Sequence, residues 1–284
     1  MNCLQAIRTK YESLTAAEKR VADHLLTHRE EAVGLSISQL AERAQVAKSA
    51  VVRFCKTLGL DGYSQLKLQL AAETAQNKQL NYTPYIYPED TADTIIDKVF
   101  SANVKALHDT AAFLDHKAAA ELIRLLLDAK TVYLYGIGTS SGMVTELQYR
   151  LMQLGLQAFA FTDPPTMKVS TMNITKGDLA IGISHSGRTI ATIDALELAQ
   201  RSGAAAACIT SFPESPITRV CQLSLCVYCD ELQYPVEAMS AKIAQLSLIY
   251  ALTTALSAAN YEETVQRSKQ ARALVNTIRL EETP

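Results

Sequence analysis

Five short apolar runs in the second part of the chain, TVYLYG (131–136), QAFAFT (157–162), DLAIGIS (178–184), AAACIT (205–210) and LSLCVY (223–228), are separated by stretches of helical length. Runs that are apolar on both faces and alternate with helices specify a parallel sheet covered on both sides. The expectation is therefore an α/β unit, an αβα sandwich around a five-stranded parallel sheet. Helical patterns at 92–113 and 117–129 precede the first run. A third, 237–259, contains SAKIAQLSLIYALTTAL, whose broad apolar face fits burial against the sheet or a partner subunit.

The first part of the chain reads differently. Thr15 and Glu18 form a capping box ahead of a helix with Val21, Leu25 and Leu26 on one stripe, and Ser36 and Gln39 form a second box before LAERA. QVAK then breaks the pattern, and SAVVRFCKTLGL resumes it and stops at Gly59. This is helix, short turn, helix within an all-α unit. The segment NKQLNYTPYIYPED has two prolines and little periodicity and reads as a linker carrying tyrosines 82, 85 and 87. The domains expected are thus 1–76, a linker at 77–90, and 91–284.

Charge supports that division. Residues 1–75 carry ten Lys/Arg against eight Asp/Glu, while the remainder carries seventeen against twenty-one. Between Arg43 and Lys67 stand five basic residues, Arg43, Lys48, Arg53, Lys56 and Lys67, and one acid, Asp61. Such a patch suits phosphates. No unbroken apolar run of 18 residues occurs and the first residues carry charges, so the expectation is a cytoplasmic protein without a membrane segment. The six cysteines are few and scattered, which fits reduced thiols. Cys221, Cys226 and Cys229 have a spacing that hints at zinc, but CQLSLCVYCD reads as a strand and no second pair follows. Neither metal nor cofactor is expected.

In an open α/β sheet, ligands sit at the carboxyl ends of strands, where helix N-termini aim free N–H groups outward. Two strand exits are rich in hydroxyls. After TVYLYG come Gly138, Thr139, Ser140 and Ser141; after DLAIGI come Ser184, His185, Ser186, Gly187, Arg188 and Thr189. At Gly187 the missing side chain is expected to let an anion approach the backbone. One such loop alone is weak, because serines at these junctions commonly cap helices.

The second loop resembles the Ser-x-Ser-Gly-x-Thr phosphate motif of the SIS (sugar isomerase) domain, and GIGTSS resembles that domain's first loop. LSISQLAERAQVAKSAVVRFCKTLGLDGYSQLKLQL is similar to the helix-turn-helix of RpiR-type bacterial transcription regulators, whose second domain is a SIS domain. The likeness extends to SAKIAQLSLI and covers nearly the whole chain. It implies a homodimeric or homotetrameric regulator that binds operator DNA through its first domain and a phosphorylated sugar or sugar acid through its second. Ser140, Ser184, Ser186, Gly187 and Thr189 would hold the phosphate. Gly138, Thr139, Ser141, His185, Arg188, Glu237, Ser240 and Lys242 would line the pocket, and Lys48, Ser49, Arg53 and Lys56 would meet DNA.

The chain departs from the family pattern in the turn. Gln45 stands where glycine is usual, Ala47 where serine caps the recognition helix, and Ala50 where threonine is usual. Ser49 is the nearest substitute cap. If the helix starts near Lys48, then Lys48, Ser49 and Ala50 occupy the first turn that reaches base edges, while Val51 and Phe54 turn inward. Arg53 has Glu42 as a candidate ion-pair partner.

Three other functions compete, and the first, a helix-turn-helix used only for protein contacts, has nothing in the sequence to support it. Gly136 and Gly138 invite a dinucleotide-binding reading, with Asp163 on the ribose, but the next glycine is Gly142 and the fingerprint spacing fails. An SIS-type sugar phosphate isomerase with an accessory helical domain would use His185 or Glu237 as base. A DNA-binding domain on the same chain favours sensing, so no enzyme is expected.

Overall fold

The computed structural model describes residues 3–79, 86–229 and 239–276. Glu237, Tyr82 and Tyr85 lie outside the described residues. The chain divides into two compact units between Lys105 and Ala106.

The first unit is helical: α1 (Cys3–Lys10), α2 (Ala16–Thr27), α3 (Arg29–Gly34), α4 (Ile37–Arg43), α5 (Lys48–Thr57) and α6 (Tyr63–Gln79). Both expected capping boxes are present, at Thr15/Glu18 and Ser36/Gln39. Each side-chain cap contributes about 1 kcal/mol. Ile7, Val21, Leu25, Leu40, Val51, Phe54 and Leu66 are fully buried in one core, which fixes α5 against α2, α4 and α6. Glu18 ties the start of α2 to the end of α5 by accepting from the Thr57 hydroxyl at 2.8 Å. Nothing in Asn77, Lys78 and Gln79 breaks a helix, so α6 continues through them.

Next come α7 (Ala92–Phe113), which spans the division, and α8 (His116–Asp128), capped by Asp115. They lead into β1 (Val132–Tyr135), α9 (Ser141–Gln153), β2 (Ala158–Phe161), α10 (Pro164–Ser170), β3 (Leu179–Ile183), α11 (Ile190–Arg201), β4 (Ala205–Thr210), α12 (Pro216–Val220), β5 (Leu223–Cys226), α13 (Met239–Ala259) and α14 (Tyr261–Asn276). All five strands fall in the five apolar runs. They pair in parallel in the order β2-β1-β3-β4-β5, with Leu134 opposite Ala160 on one side and Ile181 on the other.

Side chains alternate between the two faces of a strand, so one strand feeds two cores. Val132 and Leu134 join Ile181, Ile183 and the buried residues of α8, α9 and α13; Tyr133 and Tyr135 join Met167, Leu196 and Ile217 of α10, α11 and α12. Each fully buried Leu or Ile stabilises the fold by about 1.5–3 kcal/mol. By length and composition α13 is long and apolar enough to cross a membrane, and half of its most apolar window is buried within the protein. It packs against α8 and α9 through residues that include Leu248, Ile249 and Leu252. α14 has no counterpart among the helical patterns read in the sequence.

Candidate functional site

Strand order decides where a ligand crevice opens. From β1 the chain moves outward to β2, and from β3 it moves the opposite way to β4 and β5, so the direction reverses between β1 and β3. Ligands of open α/β sheets bind at such a switch point, outside the carboxyl ends of the strands. The two hydroxyl-rich loops leave from those two strands. They run close together: a Cβ on Gly136 would come within 3.1 Å of the Ile183 carbonyl oxygen. Gly138 has φ +59°, the left-handed region where glycine is preferred.

Ser184 is 2% exposed, and its hydroxyl shares a 3.1 Å hydrogen bond with that of Thr189. The Ser186 hydroxyl accepts from the Arg188 amide at 3.2 Å, and the Ser141 hydroxyl donates to the Gly138 carbonyl at 2.7 Å. Ser140 and Thr189 stand at the N-cap positions of α9 and α11, yet neither side chain caps its helix. Elsewhere Thr15, Ser36, Asp115 and Asp163 do cap, whereas Ser215, at the N-cap of α12, does not. The ordinary explanation for hydroxyls at strand-to-helix junctions therefore fails at these two positions. Thr139 and Arg188 are exposed, Ser240 is buried in the first turn of α13, and Lys242 is half-buried two residues on.

Gly187 has a packing role beyond the one read in the sequence. It has φ +63°, and a Cβ there would strike the Ser215 hydroxyl and the Ile217 side chain. The missing side chain admits the segment before α12, so the glycine is required for internal packing. That segment belongs to a third strand exit, after β4, which sequence reasoning missed. Thr210 donates its hydroxyl to the His185 carbonyl at 3.1 Å, and the Ser211 hydroxyl pairs with His185 Nδ1 at 2.8 Å. The His185 ring also meets Phe212 edge-on at 5.5 Å. Ser215 is buried and its hydroxyl has no hydrogen-bond partner among the described residues. The signal was available in AAACITSFPES, where hydroxyls again follow a strand.

The rival motifs take structural roles. Asp163 caps α10 by accepting from the Thr166 amide. Cys208 is buried, Cys221, Cys226 and Cys229 are half-buried, and no cluster of metal-ligating side chains occurs among the described residues.

In the first unit, α4 and α5 are joined by a tight turn in which Gln45 has φ +53°, a left-handed conformation that glycine adopts without cost. Ala47 is the N-cap of α5, with no side-chain cap, and Ser49 does not replace it. Val51 and Phe54 are buried as expected. Ala50 is buried too, at 3% exposed, and so cannot reach base edges; it lies four residues before Phe54, on the same inward stripe. The basic patch is smaller than its sequence count. Arg43 pairs with Glu31, and the Lys67 ammonium donates to the Leu35 carbonyl at 3.2 Å. Lys48, Arg53 and Lys56 remain exposed, without an ion pair among the described residues. Arg53 acts electrostatically on Glu18 instead of pairing with Glu42. Burial pushes the Glu18 carboxyl up, but hydrogen bonds from Thr15 and Thr57 and the Arg53 charge hold it below the usual range.

Residues 1–77 match the helix-turn-helix domain of the rpiR family, and residues 125–255 match the SIS domain. A helix-turn-helix transcriptional regulator of Haemophilus influenzae is 33% identical over 88% of this chain and 89% of its own length. The chain belongs to the rpiR family. RpiR of Escherichia coli is 26% identical, covering 95% of this chain and 91% of its own. Among solved structures, NanR of Vibrio vulnificus, in complex with ManNAc-6P, superposes with a TM-score of 0.63 and 26% identity over 99% of this chain and 100% of its own. The protein is a transcriptional regulator with helix-turn-helix and SIS domains, and its relatives carry the names of regulators.

Proposed function

We propose that the SIS unit holds a sugar phosphate at the β1/β3 switch point and that its occupancy controls operator binding by the helix-turn-helix unit. The carrying observation is that the hydroxyl-rich exits of the adjacent strands β1 and β3 lead into helix starts without side-chain caps, α9 through a 3-10 turn over Gly138–Ser140 and α11 at Thr189. Free helix N-termini attract anions. In this reading Ser140, Ser184, Ser186 and Thr189 hold the phosphate, and His185, fixed by Ser211, faces the sugar. Residues 1–76 then form the DNA-binding domain and 91–284 the effector domain, with α6 running into the 77–90 linker and α7 crossing the division at Lys105. The NanR complex makes ManNAc-6P the first ligand to try. The effector shifts DNA binding only by its differential affinity for the two states.

On the DNA side, Lys48 and Ser49 reach base edges while Arg53 and Lys56 meet phosphates. Two half-sites call for a homodimer or homotetramer. α7 exposes Ile96, Phe100 and Val104, and α13 exposes Met239, Ile243 and Tyr250, apolar surface for a second copy. Light scattering that found only monomer at micromolar concentration, with and without DNA, would reject that assembly.

Calorimetric titration with N-acetylmannosamine 6-phosphate, glucose 6-phosphate and a keto acid phosphate tests the pocket. Removing a hydrogen bond to a charged acceptor costs about 1.5–3 kcal/mol, so Ser184→Ala and Ser186→Ala should each weaken binding about ten- to hundredfold. Parental affinity in both variants would place the phosphate elsewhere.

A further inference from the structure

The outward face of α5 carries more than charge. Lys48, Ser49, Val52, Arg53 and Lys56 are exposed, while Ala50, Val51, Phe54 and Cys55 are buried. Val52 is 38% exposed. It lies four residues after Lys48 and four before Lys56, so it stands between them on one helical stripe. Single exposed apolar side chains are common on protein surfaces, and exposure alone argues for nothing. The placement is what matters: every other exposed residue of α5 is charged or bears a hydroxyl, and the one apolar side chain sits in their midst, in the second turn.

Valine in a helix is held in one strongly preferred rotamer, so its two methyl groups occupy a fixed place on that face. They neither donate nor accept hydrogen bonds, and thus cannot satisfy a phosphate oxygen or the polar edges of guanine, cytosine or adenine. Set against such an edge, they would displace water without replacing its hydrogen bonds. One major-groove feature matches them, the C5 methyl group of thymine, which apolar side chains contact in direct readout. We propose that Val52 is a specificity-determining residue that reads a thymine methyl group in each operator half-site. This rests on the reading of α5 as the recognition helix.

The test starts with the full-length protein and a library of random-sequence duplexes, from which bound sequences are selected and enriched. Each thymine of an enriched duplex is then replaced by deoxyuridine, which removes only the C5 methyl group. Binding of the parent and of Val52→Ala is measured by fluorescence anisotropy. At one thymine per half-site, the replacement should weaken the parent about three- to tenfold and leave Val52→Ala within about twofold, as loss of one methyl contact implies. Val52 is exposed, so the variant should melt with the parent; the deoxyuridine series on the parent stands even if it does not. Enriched duplexes indifferent to deoxyuridine at every position, or equally sensitive in parent and variant, would overturn the role of Val52 alone. Failure of the library to enrich any duplex would overturn the recognition-helix reading, and the role of Val52 with it.

Discussion

In the helix-turn-helix unit, the residues proposed to meet DNA project from one continuous helix: Lys48, Arg53 and Lys56 are exposed and make no ion pair among the described residues. In the SIS unit they come from loops after separate strands, and they are already engaged with one another. Ser184 is 2% exposed and bonded to Thr189, and His185 is held by Ser211. The two surfaces imply different recognition. Exposed cations answer to any polyanion, and their affinity is sensitive to salt. On the proposed reading, a partly buried hydroxyl cradle is organised in advance and answers to one shape of anion. Substitutions in the cradle should therefore disturb folding and binding together, while those on α5 should alter binding alone.

Gly187→Ala puts this contrast under the greatest load. The left-handed backbone costs a non-glycine residue about 1–2 kcal/mol, and overpacking against Ser215 and Ile217 costs about 1–3 more. Urea unfolding of the SIS unit should show a loss of about 2–5 kcal/mol, with weakened effector binding. A loss under about half a kcal/mol would mean that the loop yields easily, and the claim of a rigid cradle would fall.

Arg53→Ala and Lys56→Ala probe the other side with a smaller effect. Each should flatten the logarithmic salt dependence of DNA binding by about 0.9, weaken binding to specific and random duplexes alike, and change stability by less than about 0.5 kcal/mol. Titrations at several salt concentrations measure the slope. For Arg53, an unchanged slope with a lowered melting temperature would assign the side chain to its electrostatic contact with Glu18.

What was legible in the sequence follows the same division. The five strands and the caps at Thr15 and Ser36 depend on local periodicity and short-range spacing, and all are found where expected. Gly187 was legible as a special position but its packing role was not, because Ser215 and Ile217 reach it from another strand exit. The contacts of Thr210 and Ser211 with His185 span more than twenty residues, beyond any local pattern. Ala50 is a different failure: it lies in the first turn of α5, but its helical spacing to Phe54 puts it on the buried stripe. Charge counting likewise overstated the basic patch, since it cannot show that Glu31 and the Leu35 carbonyl engage Arg43 and Lys67.

The smallest effect separates the two kinds of helix start. At α9 and α11 hydroxyls stand at the N-cap but do not cap; at α5 there is no hydroxyl to do so, because Ala47 holds an extended conformation with ψ 150° and no acceptor. Ala47→Ser supplies the acceptor and should stabilise the first unit by about 1 kcal/mol. Gln45→Gly removes the left-handed strain but gives the unfolded chain more freedom, leaving a net gain of about 0.5 kcal/mol. The positions share one turn, so the double variant need not gain the sum. DNA binding then distinguishes what the bare helix start is for. If Ala47→Ser stabilises the unit and weakens DNA binding, the first amides of α5 face a DNA phosphate, and a side-chain cap competes with it as it would at α9 and α11. If it stabilises the unit and leaves DNA binding unchanged, the amides face solvent and α5 binds through side chains alone. No change in unfolding free energy would mean that the serine does not cap, and the parallel between the two units would fail at its most local point.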